Sequence, residues 1–309
     1  MQSSRSSHFV ASWLRRGFLV AVICTAASAV AAPPPLPPLN DPPSNEHHTG
    51  KVVLLQLVTP DLEASKRLYG GLFHWTFRES GGGKTPYVQA MLDGRPVAGL
   101  RQKNLEKNAN RVPAWLGYFS VPDVDAATKT ATAHGAKVLS EPRALPDRGR
   151  QAVLADPQGA VFAVLTSSSG DVADELAAPG EWIWSSLITS DVDASGGFYQ
   201  TLFNYEVFEM DDDNDGNADH VLFASENYAR ASANPLPANK PDVRPHWIHF
   251  VRVEDAQAAS RKAVELGGRI VVEPRPDRHG GRIAVITDPQ GAHVGLMEWS
   301  NAETKEVTQ

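Results

Sequence analysis

Short runs of β-branched and aliphatic residues alternate with helical patterns from Lys51 onwards. The first run, VVLLQLV, predicts a buried strand. Thr59, Pro60 and Asp61 follow it and predict the start of a helix, with Thr59 as its N-cap and Pro60 in its first turn. The helix has one apolar stripe at helical spacing, formed by Leu62, Leu68, Tyr69, Leu72 and Phe73. Three short strand patterns separated by glycine-containing turns complete a β-α-β-β-β unit.

This unit recurs along the chain. A second copy begins with the strand pattern AWLGYFSV, and its helix ends before Gly135, which suits a C-terminal cap because it lacks a Cβ. The pair of units then repeats from WIWSSLIT onwards. The sequence DPQGA occurs at residues 156–160 and again at 288–292, each time as a turn between two strand patterns. Matching segments lie about 130 residues apart, which is too long for a solenoid repeat and indicates a duplicated domain.

The pattern therefore predicts an α+β protein, with four βαβββ units paired into two domains that have curved mixed sheets. The predicted boundaries are residues 1–31 for a signal peptide, 32–50 for a Pro-rich spacer, 51–168 for the first domain, 169–180 for a linker, 181–300 for the second domain and 301–309 for a tail.

The first thirty-one residues have the composition of a targeting segment. Arg15 and Arg16 precede an apolar run that ends in Ala29-Val30-Ala31, which fits the A-x-A cleavage pattern. The pattern predicts export, to the periplasm or the medium, and both the general secretory and the twin-arginine routes stay open. The single cysteine, Cys24, lies inside this run, so the mature chain contains no disulfide. His47 and His48, in the spacer, are expected in a solvated tail.

The net charge of the chain argues against some classes of binding partner. The formal net charge is -7, and the leader contributes three arginines and no acidic residue, so the mature chain is more acidic still. An acidic body without a basic stripe argues against nucleic acid as a partner. No segment after the leader is long and apolar enough to span a bilayer, so no membrane contact is expected after cleavage. A homodimer remains possible.

Three motifs relate the chain to a known superfamily. They are D-L-E-A-S-x-x-L-Y-x-x-L-F-x-W at residues 61–75, V-x-D-V-D-A-A followed by A-x-G-A, and the repeated D-P-Q-G-A. With these motifs the chain resembles the vicinal oxygen chelate superfamily, which includes glyoxalase I, extradiol dioxygenases, and bleomycin- and fosfomycin-resistance proteins. The tandem, two-domain glyoxalase-like members are the most similar in organisation. The resemblance implies that paired units form a curved sheet around a cavity.

The resemblance also implies where metal ligands would lie. In metal-dependent members, His, Gln or Glu ligands occupy the first strand of each unit and a place near the end of its last strand. The corresponding residues of this chain have no suitable ligand atom: Leu54, Trp184, Trp115 or Leu116, Trp247 or Ile248, Ala163 and Gly295. The sequence therefore predicts that the metal of the family is absent, together with the chemistry that depends on it.

Strand alternation suggests what lines the cavities instead. Residues two apart share a face, so Gln56 accompanies Leu54, and Ser186 accompanies Trp184. The cavity candidates chosen on this basis are Gln56, Trp115, Trp184, Ser186, Trp247, His249 and His293. Tryptophans with few polar groups predict a small, largely apolar or aromatic ligand. The alternative is that these tryptophans form only core or domain–domain contacts.

Two metal sites are considered besides the family site. His249 and His293 could be the remains of a divalent transition-metal site in the second domain, with Glu226 or His246 as a third ligand.

The second is a calcium site. Asp211, Asp213 and Asp215, followed by Gly216, match the start of a calcium loop. Leu222 stands where the bidentate Glu of an EF-hand belongs, and the flanking segments resemble strands, which excludes an EF-hand. The alternative is a solvated hairpin turn.

These observations predict an exported two-domain protein that binds a small, largely apolar molecule without the family metal. One alternative is a metal-dependent lyase or dioxygenase with its site in the second domain. The other is an interaction protein whose cavities are filled. No catalytic residue can be assigned from the sequence.

Overall fold

The computed structural model describes residues 36–80, 87–104, 112–211, 219–277 and 280–299. The predicted signal peptide and the tail lie outside these residues. The elements of the first two units are β1 (Val52–Thr59), α1 (Leu62–Phe73), β2 (Thr76–Ser80), β3 (Tyr87–Leu92), β4 (Arg95–Gln102), β5 (Ala114–Ser120), α2 (Val124–Ala133), β6 (Lys137–Leu145), β7 (Gly149–Ala155) and β8 (Val161–Ser167).

The second pair of units repeats this order. Its elements are β9 (Trp182–Thr189), α3 (Val192–Phe203), β10 (Glu206–Met210), β11 (His220–Ser225), β12 (Tyr228–Pro235), β13 (His246–Arg252), α4 (Ala256–Glu265), β14 (Arg269–Pro276), β15 (Arg282–Thr287) and β16 (His293–Met297). The predicted fourfold β-α-β-β-β repeat is confirmed. No helix of the described residues has the length and apolar character needed to cross a bilayer.

Each pair of units forms one mixed sheet of eight strands. The strand orders are β2-β3-β4-β1-β5-β8-β7-β6 and β10-β11-β12-β9-β13-β16-β15-β14. Within each sheet the first strands of the two units pair antiparallel, as β1 with β5 and β9 with β13. The first and last strands of a unit pair parallel, as β1 with β4 and β13 with β16. The predicted α+β class and the two-domain arrangement are both confirmed.

An aspartate caps the N-terminus of each of the four helices in the described residues. Asp61 Oδ1 accepts a hydrogen bond from the Ala64 amide at 3.0 Å, and Asp123, Asp191 and Asp255 cap α2, α3 and α4. The assignment of Thr59 as the cap of α1 is therefore wrong. Its hydroxyl lies 3.1 Å from that of Ser65, inside the first turn of the helix. The carboxylate satisfies a free amide and favours the positive end of the helix dipole.

The helical faces of the two sheets pack against each other and share their cores. One cluster joins Leu57, Tyr69 and Trp115 of the first domain to Val251 and Leu296 of the second. A second cluster joins residues of α2 and β8 to residues of α3 and β9 in the same way. Each domain therefore buries part of its apolar helical face against the other domain, and we expect the two to unfold together.

The repeated DPQGA turn is part of this interface. Asp156 Oδ1 accepts from the amides of Gly159 and Ala160 at 2.7 and 2.8 Å. Its other oxygen accepts from the hydroxyl of Tyr199, on α3 of the second domain, at 3.0 Å. In the second copy, Asp288 accepts from Ser65 of α1 at 3.1 Å. Burial raises the pKa of both carboxyl groups, although the hydrogen bonds they accept oppose this shift. The turn that revealed the duplication therefore also joins the two copies.

Candidate functional site

The register of β1 and β5 decides which side chains face the concave side of the first sheet. Gln56 lies opposite Leu116, and Leu57 lies opposite Trp115. Leu57 and Trp115 belong to the core between the domains, so Gln56 and Leu116 face the concave side. The second sheet has the same arrangement, with Ser186 opposite Ile248 and Leu187 opposite Trp247.

The rings of Trp115 and Trp247 lie in the core between the domains. The Trp115 indole N–H donates to the Tyr69 hydroxyl at 2.9 Å, and the Trp247 indole N–H donates to the Tyr199 hydroxyl at 3.1 Å. The cleft reaches the edges of both residues, but only 5% of Trp115 and 6% of Trp247 is exposed. The alternative interpretation, a domain–domain contact, therefore describes these two tryptophans better than a role in ligand binding.

His249 also lies in this core. Its Nδ1 is 2.8 Å from the Ser185 hydroxyl, and only 1% of the residue is exposed. A Cβ placed on Gly117 of the first domain would lie 2.6 Å from the His249 ring, so the glycine leaves the space that this ring fills. Burial lowers the pKa of His249 to about 3. The residue is therefore a neutral, structural histidine.

The strand register places His249 and His293, the candidates for a transition-metal pair, on opposite faces of the second sheet. Gly295 lies beside Phe250 in the parallel pairing of β13 and β16. His293 is two residues from Gly295 and faces the concave side, whereas His249 is one residue from Phe250 and faces the other domain. The ring nearest to His293 is that of His246, at a centroid distance of 5.7 Å at the rim of the cleft. Burial lowers the pKa of both His246 and His293.

A cleft of about 2320 Å³ is lined by residues of the concave faces of both sheets. The apolar residues that line it in the second domain include Trp184, Ile188, Leu222, Ile248, Phe250, Ile283, Val285 and Met297. Its volume exceeds the range of about 300–1,000 Å³ typical of small-molecule sites, so the cleft has room for an extended ligand.

A polar cluster interrupts the apolar lining between β9 and β12. The Trp184 indole N–H donates to the Ser232 hydroxyl at 3.1 Å. The Asn234 side-chain amide donates to the Ser186 hydroxyl at 2.7 Å and to that of Ser232 at 3.2 Å. Among the described residues, no donor reaches the Asn234 side-chain oxygen, so it remains free to accept a bond from a ligand. Trp184 and Ser186 are candidates from the sequence alone, whereas Ser232 and Asn234 have no such signal and lie beside them only through the parallel register of β9 and β12.

The residues at the family metal position of the second domain do not fit a metal. The Phe250 ring lies so close to Gly295 that a Cβ on the glycine would clash with it. Phe250 packs in an apolar cluster with Ile248, Val285 and Trp184. No imidazole or carboxylate is present among these residues, and an aromatic ring fills the space that ligands would need.

In the first domain, part of the concave face is covered by the chain itself. We call residues 36–50 the N-terminal strap. Leu36 packs against Tyr87 and Leu145, and Leu39 packs in a cluster with Tyr118 and Leu165. The strap contains no helix or strand, as expected for a Pro-rich spacer, but it is packed onto the domain. The strap therefore fills space that is open in the second domain.

Replacing Leu39 with alanine is expected to lower the free energy of unfolding by about 2–4 kcal/mol, because this strap residue is buried against Tyr118 and Leu165 of the first domain. The measurement is urea unfolding followed by tryptophan fluorescence. The matched control is Leu176→Ala, since Leu176 is 53% exposed and its truncation should change stability by less than about 0.5 kcal/mol. Equal, small effects of both changes would show that the strap does not stabilise the fold.

The far end of the strap enters an ion-pair network. His48 Nδ1 lies 2.6 Å from a carboxylate oxygen of Glu226, so His48 is not in a solvated tail and Glu226 is not a ligand of the second-domain histidines. Asp174 accepts from Lys51 at 2.7 Å and from Arg230 at 2.6 Å. His48, Asp174 and Glu226 cluster closely enough to hold a metal. Because the positively charged side chains of Lys51 and Arg230 already neutralise Asp174, this cluster is better described as an ion-pair network than as a metal site.

The candidate calcium loop is only partly described. Asp211 follows β10, whereas Asp213 and Asp215 lie outside the described residues. The flanking segments are the antiparallel strands β10 and β11, which confirms that they are strands and not the helices of an EF-hand. The calcium site itself stays a prediction.

Comparisons with known proteins agree with this architecture. The model of the Glyoxalase/Bleomycin resistance protein/Dioxygenase superfamily matches residues 183–296, and that of the Glyoxalase-like domain matches residues 52–165. The anthracycline biosynthesis protein DauV of Streptomyces sp. (strain C5) is 33% identical over 265 residues, covering 82% of this chain and 94% of DauV.

Two solved structures share the fold. The Mn(II)-bound glyoxalase from Novosphingobium aromaticivorans is 16% identical with a TM-score of 0.55, and the alignment covers 82% of this chain and 83% of that one. The 2,3-dioxygenase LapB from Pseudomonas sp. KL28 is 12% identical with a TM-score of 0.56, and the alignment covers 82% and 93%. With the fourfold unit, the two sheets and these matches, the chain belongs to the glyoxalase/bleomycin resistance protein/dioxygenase superfamily as a tandem, two-domain member.

Proposed function

We propose that this protein binds a small, largely apolar, aromatic molecule in the second-domain part of the cleft, without the family metal. The observation that carries the proposal is the packing of Phe250 against Gly295, at the position where metal-dependent members have a ligand. An apolar surface with one polar cluster favours burial of a ring system and fixes its orientation through few hydrogen bonds.

The polar cluster suggests how such a ligand would be oriented. Trp184 offers a ring for stacking, and its N–H is already satisfied by Ser232. The free side-chain oxygen of Asn234 would accept a bond from a hydroxyl group of the ligand. The similarity to DauV, named for anthracycline biosynthesis, supports a fused-ring, hydroxylated aromatic as the ligand class. In the first domain the strap occupies the matching space, so one ligand per chain is expected.

The test is a fluorescence titration with 2,6-dihydroxyanthraquinone, whose hydroxyl groups have no internal acceptor and are free to donate. Saturable quenching of tryptophan fluorescence at one equivalent is expected, and it should be unaffected by EDTA. Asn234→Leu should weaken binding about tenfold, since losing one hydrogen bond to the ligand costs about 1.4 kcal/mol. Gln56→Leu is the matched control, because Gln56 is the first-domain counterpart of Ser186 and should leave the affinity unchanged.

Several outcomes would contradict the proposal. If Gln56→Leu weakened binding and Asn234→Leu did not, the ligand would occupy the first domain instead. If quenching required Mn²⁺ or Fe²⁺, the metal-free assignment would be wrong. If no fused-ring aromatic bound at all, the ligand class would be rejected.

We also propose that the mature chain acts outside the cytoplasm, on the strength of the leader composition. Cell fractionation and N-terminal sequencing of the protein from its native host test this. A mature protein that begins at Ala32 is expected, and an uncleaved chain in the cytoplasm would contradict export.

A further inference from the structure

The strap leaves a polar part of the first concave face open to the cleft. Gln56 of β1 lies there, and its side chain lines the cleft. Only 8% of the residue is exposed, yet its amide has no hydrogen-bond partner among the described residues and is not closed off from the cleft. Burying an amide without hydrogen bonds is costly, so this group calls for a partner from outside the protein.

Two more polar side chains continue this surface. Leu116 pairs with Gln56 across β1 and β5, and Tyr118 is two residues further along β5, so Tyr118 is a diagonal neighbour of Gln56. Burial raises the pKa of the Tyr118 hydroxyl, and a hydrogen bond with Gln151 of β7 opposes this rise. Only 2% of Tyr118 and 6% of Gln151 is exposed, but both residues line the cleft.

A positively charged side chain borders the same surface. Gly99 pairs with Gln56 across β1 and β4, and Arg101 is two residues further along β4, so Arg101 shares the concave face. Its guanidinium lies 5.5 Å from the centre of the Tyr87 ring and lines the cleft. Hydrogen-bonding groups from four strands, β1, β4, β5 and β7, therefore surround one part of the cleft.

The second domain has apolar residues at two of the matching positions. The strand pairings place Phe250 where the first domain has Tyr118, and Ile283 where it has Gln151. One copy of the duplicated face is therefore more polar than the other, and the two copies should select ligands of different chemistry.

We propose that Gln56, Tyr118, Gln151 and Arg101 form a second binding site, for a neutral polyhydroxyl compound of the size of a single sugar ring. The two amides and the tyrosine hydroxyl can each donate and accept hydrogen bonds, whereas the guanidinium only donates. Hydroxyl groups match this mixture because they also donate and accept. An ionised carboxylate or phosphate offers no donor to the glutamine oxygens. A small ligand is expected, since the strap already occupies part of this face.

The arrangement of the groups also favours a sugar ring over a flat amide. A sugar ring has hydroxyl groups on several sides, as a site built from four strands around a concave face requires. A flat amide has its donors and acceptors along one edge. The site is separate from the aromatic site of the second domain, so each can be tested without the other.

The first test is a saturation-transfer NMR titration of the mature protein with the methyl glycosides of glucose, galactose and mannose. Saturable binding of at least one glycoside is expected. Gln56→Leu and Gln151→Ile should each weaken it about tenfold, because each removes a hydrogen bond to the sugar. The matched control is Gln200→Leu, the same change at an exposed residue of α3, which should leave the affinity unchanged.

The second test does not depend on a variant that folds. Crystals of the unmodified protein soaked in the same three glycosides should show a sugar ring beside Gln56. Ordered water alone at this place would overturn the inference, and so would an affinity for the glycosides that Gln56→Leu leaves unchanged. If no glycoside bound while the anthraquinone still did, this inference would be wrong and the proposed aromatic site would stand.

Discussion

Replacing Trp247 with alanine is expected to lower the free energy of unfolding by about 3–5 kcal/mol. The indole packs against Phe119 of the first domain at a centroid distance of 5.0 Å and against Tyr199 at 5.3 Å. It also donates the hydrogen bond that Tyr199 accepts. Loss of the indole would leave a cavity in the core that the two domains share, so both domains should lose stability together. Urea unfolding followed by far-UV circular dichroism measures the effect.

The matched control is Trp184→Ala, since Trp184 faces the cleft and is only partly buried. Its truncation removes one hydrogen bond and part of an apolar surface, so a loss of about 1–2 kcal/mol is expected. Trp184→Ala should strongly weaken binding of the anthraquinone, because the ring that stacks on the ligand is lost. If Trp184→Ala lowered the free energy of unfolding more than Trp247→Ala did, the assignment of Trp247 to the core and Trp184 to the cleft would be wrong.

Acid is expected to destabilise the protein through His249. Burial holds the pKa of His249 at about 3, against 6.5 for an ordinary histidine. Because the folded pKa lies below the unfolded one, the unfolded state takes up the proton first. The stabilisation is therefore complete above about pH 6.5 and falls as the pH drops towards 3, with a loss of about 2 kcal/mol between pH 7 and pH 5.

The His249→Asn variant keeps a hydrogen-bonding group near Ser185 but cannot titrate. Its free energy of unfolding should depend less on pH between 7 and 5, by about 2 kcal/mol, than that of the unmodified protein. His246 and His293 also have lowered pKa values and will retain part of the acid sensitivity. The control is His134→Asn, at an exposed residue. An unchanged pH dependence in His249→Asn would show that this ring is not buried as a neutral group.

The fold could be predicted from the sequence because the hydrophobic patterns that define it are local and occur again in each unit. Apolar residues at strand and helix periods define each unit, and DPQGA at residues 156–160 and 288–292 marks the duplication. The absence of metal ligands at Leu54, Trp184 and Gly295 could also be predicted, since the identity of a side chain alone decides whether it offers a ligand atom.

The site was harder to predict because a register error of one residue reverses the face of every side chain on a strand. Trp247 and Ile248 were both candidates for one position, and only the pairing of Leu187 with Trp247 shows that Ile248 faces the cleft. The same alternation of side chains places His249 and His293 on opposite faces of the second sheet. The cluster of Ser186, Ser232 and Asn234 depends on a parallel pairing between strands distant in the chain.

The sequence by itself thus determined the repeated units, the class of the fold and the lack of ligand side chains at the positions that hold the family metal, since periodicity and side-chain chemistry are local properties. Only the tertiary structure decided which face each strand presents, that the two domains share their cores, and that the strap covers the first concave face. These features depend on contacts between residues far apart in the chain. Leu39 and Tyr118, for example, meet only after the sheet has formed.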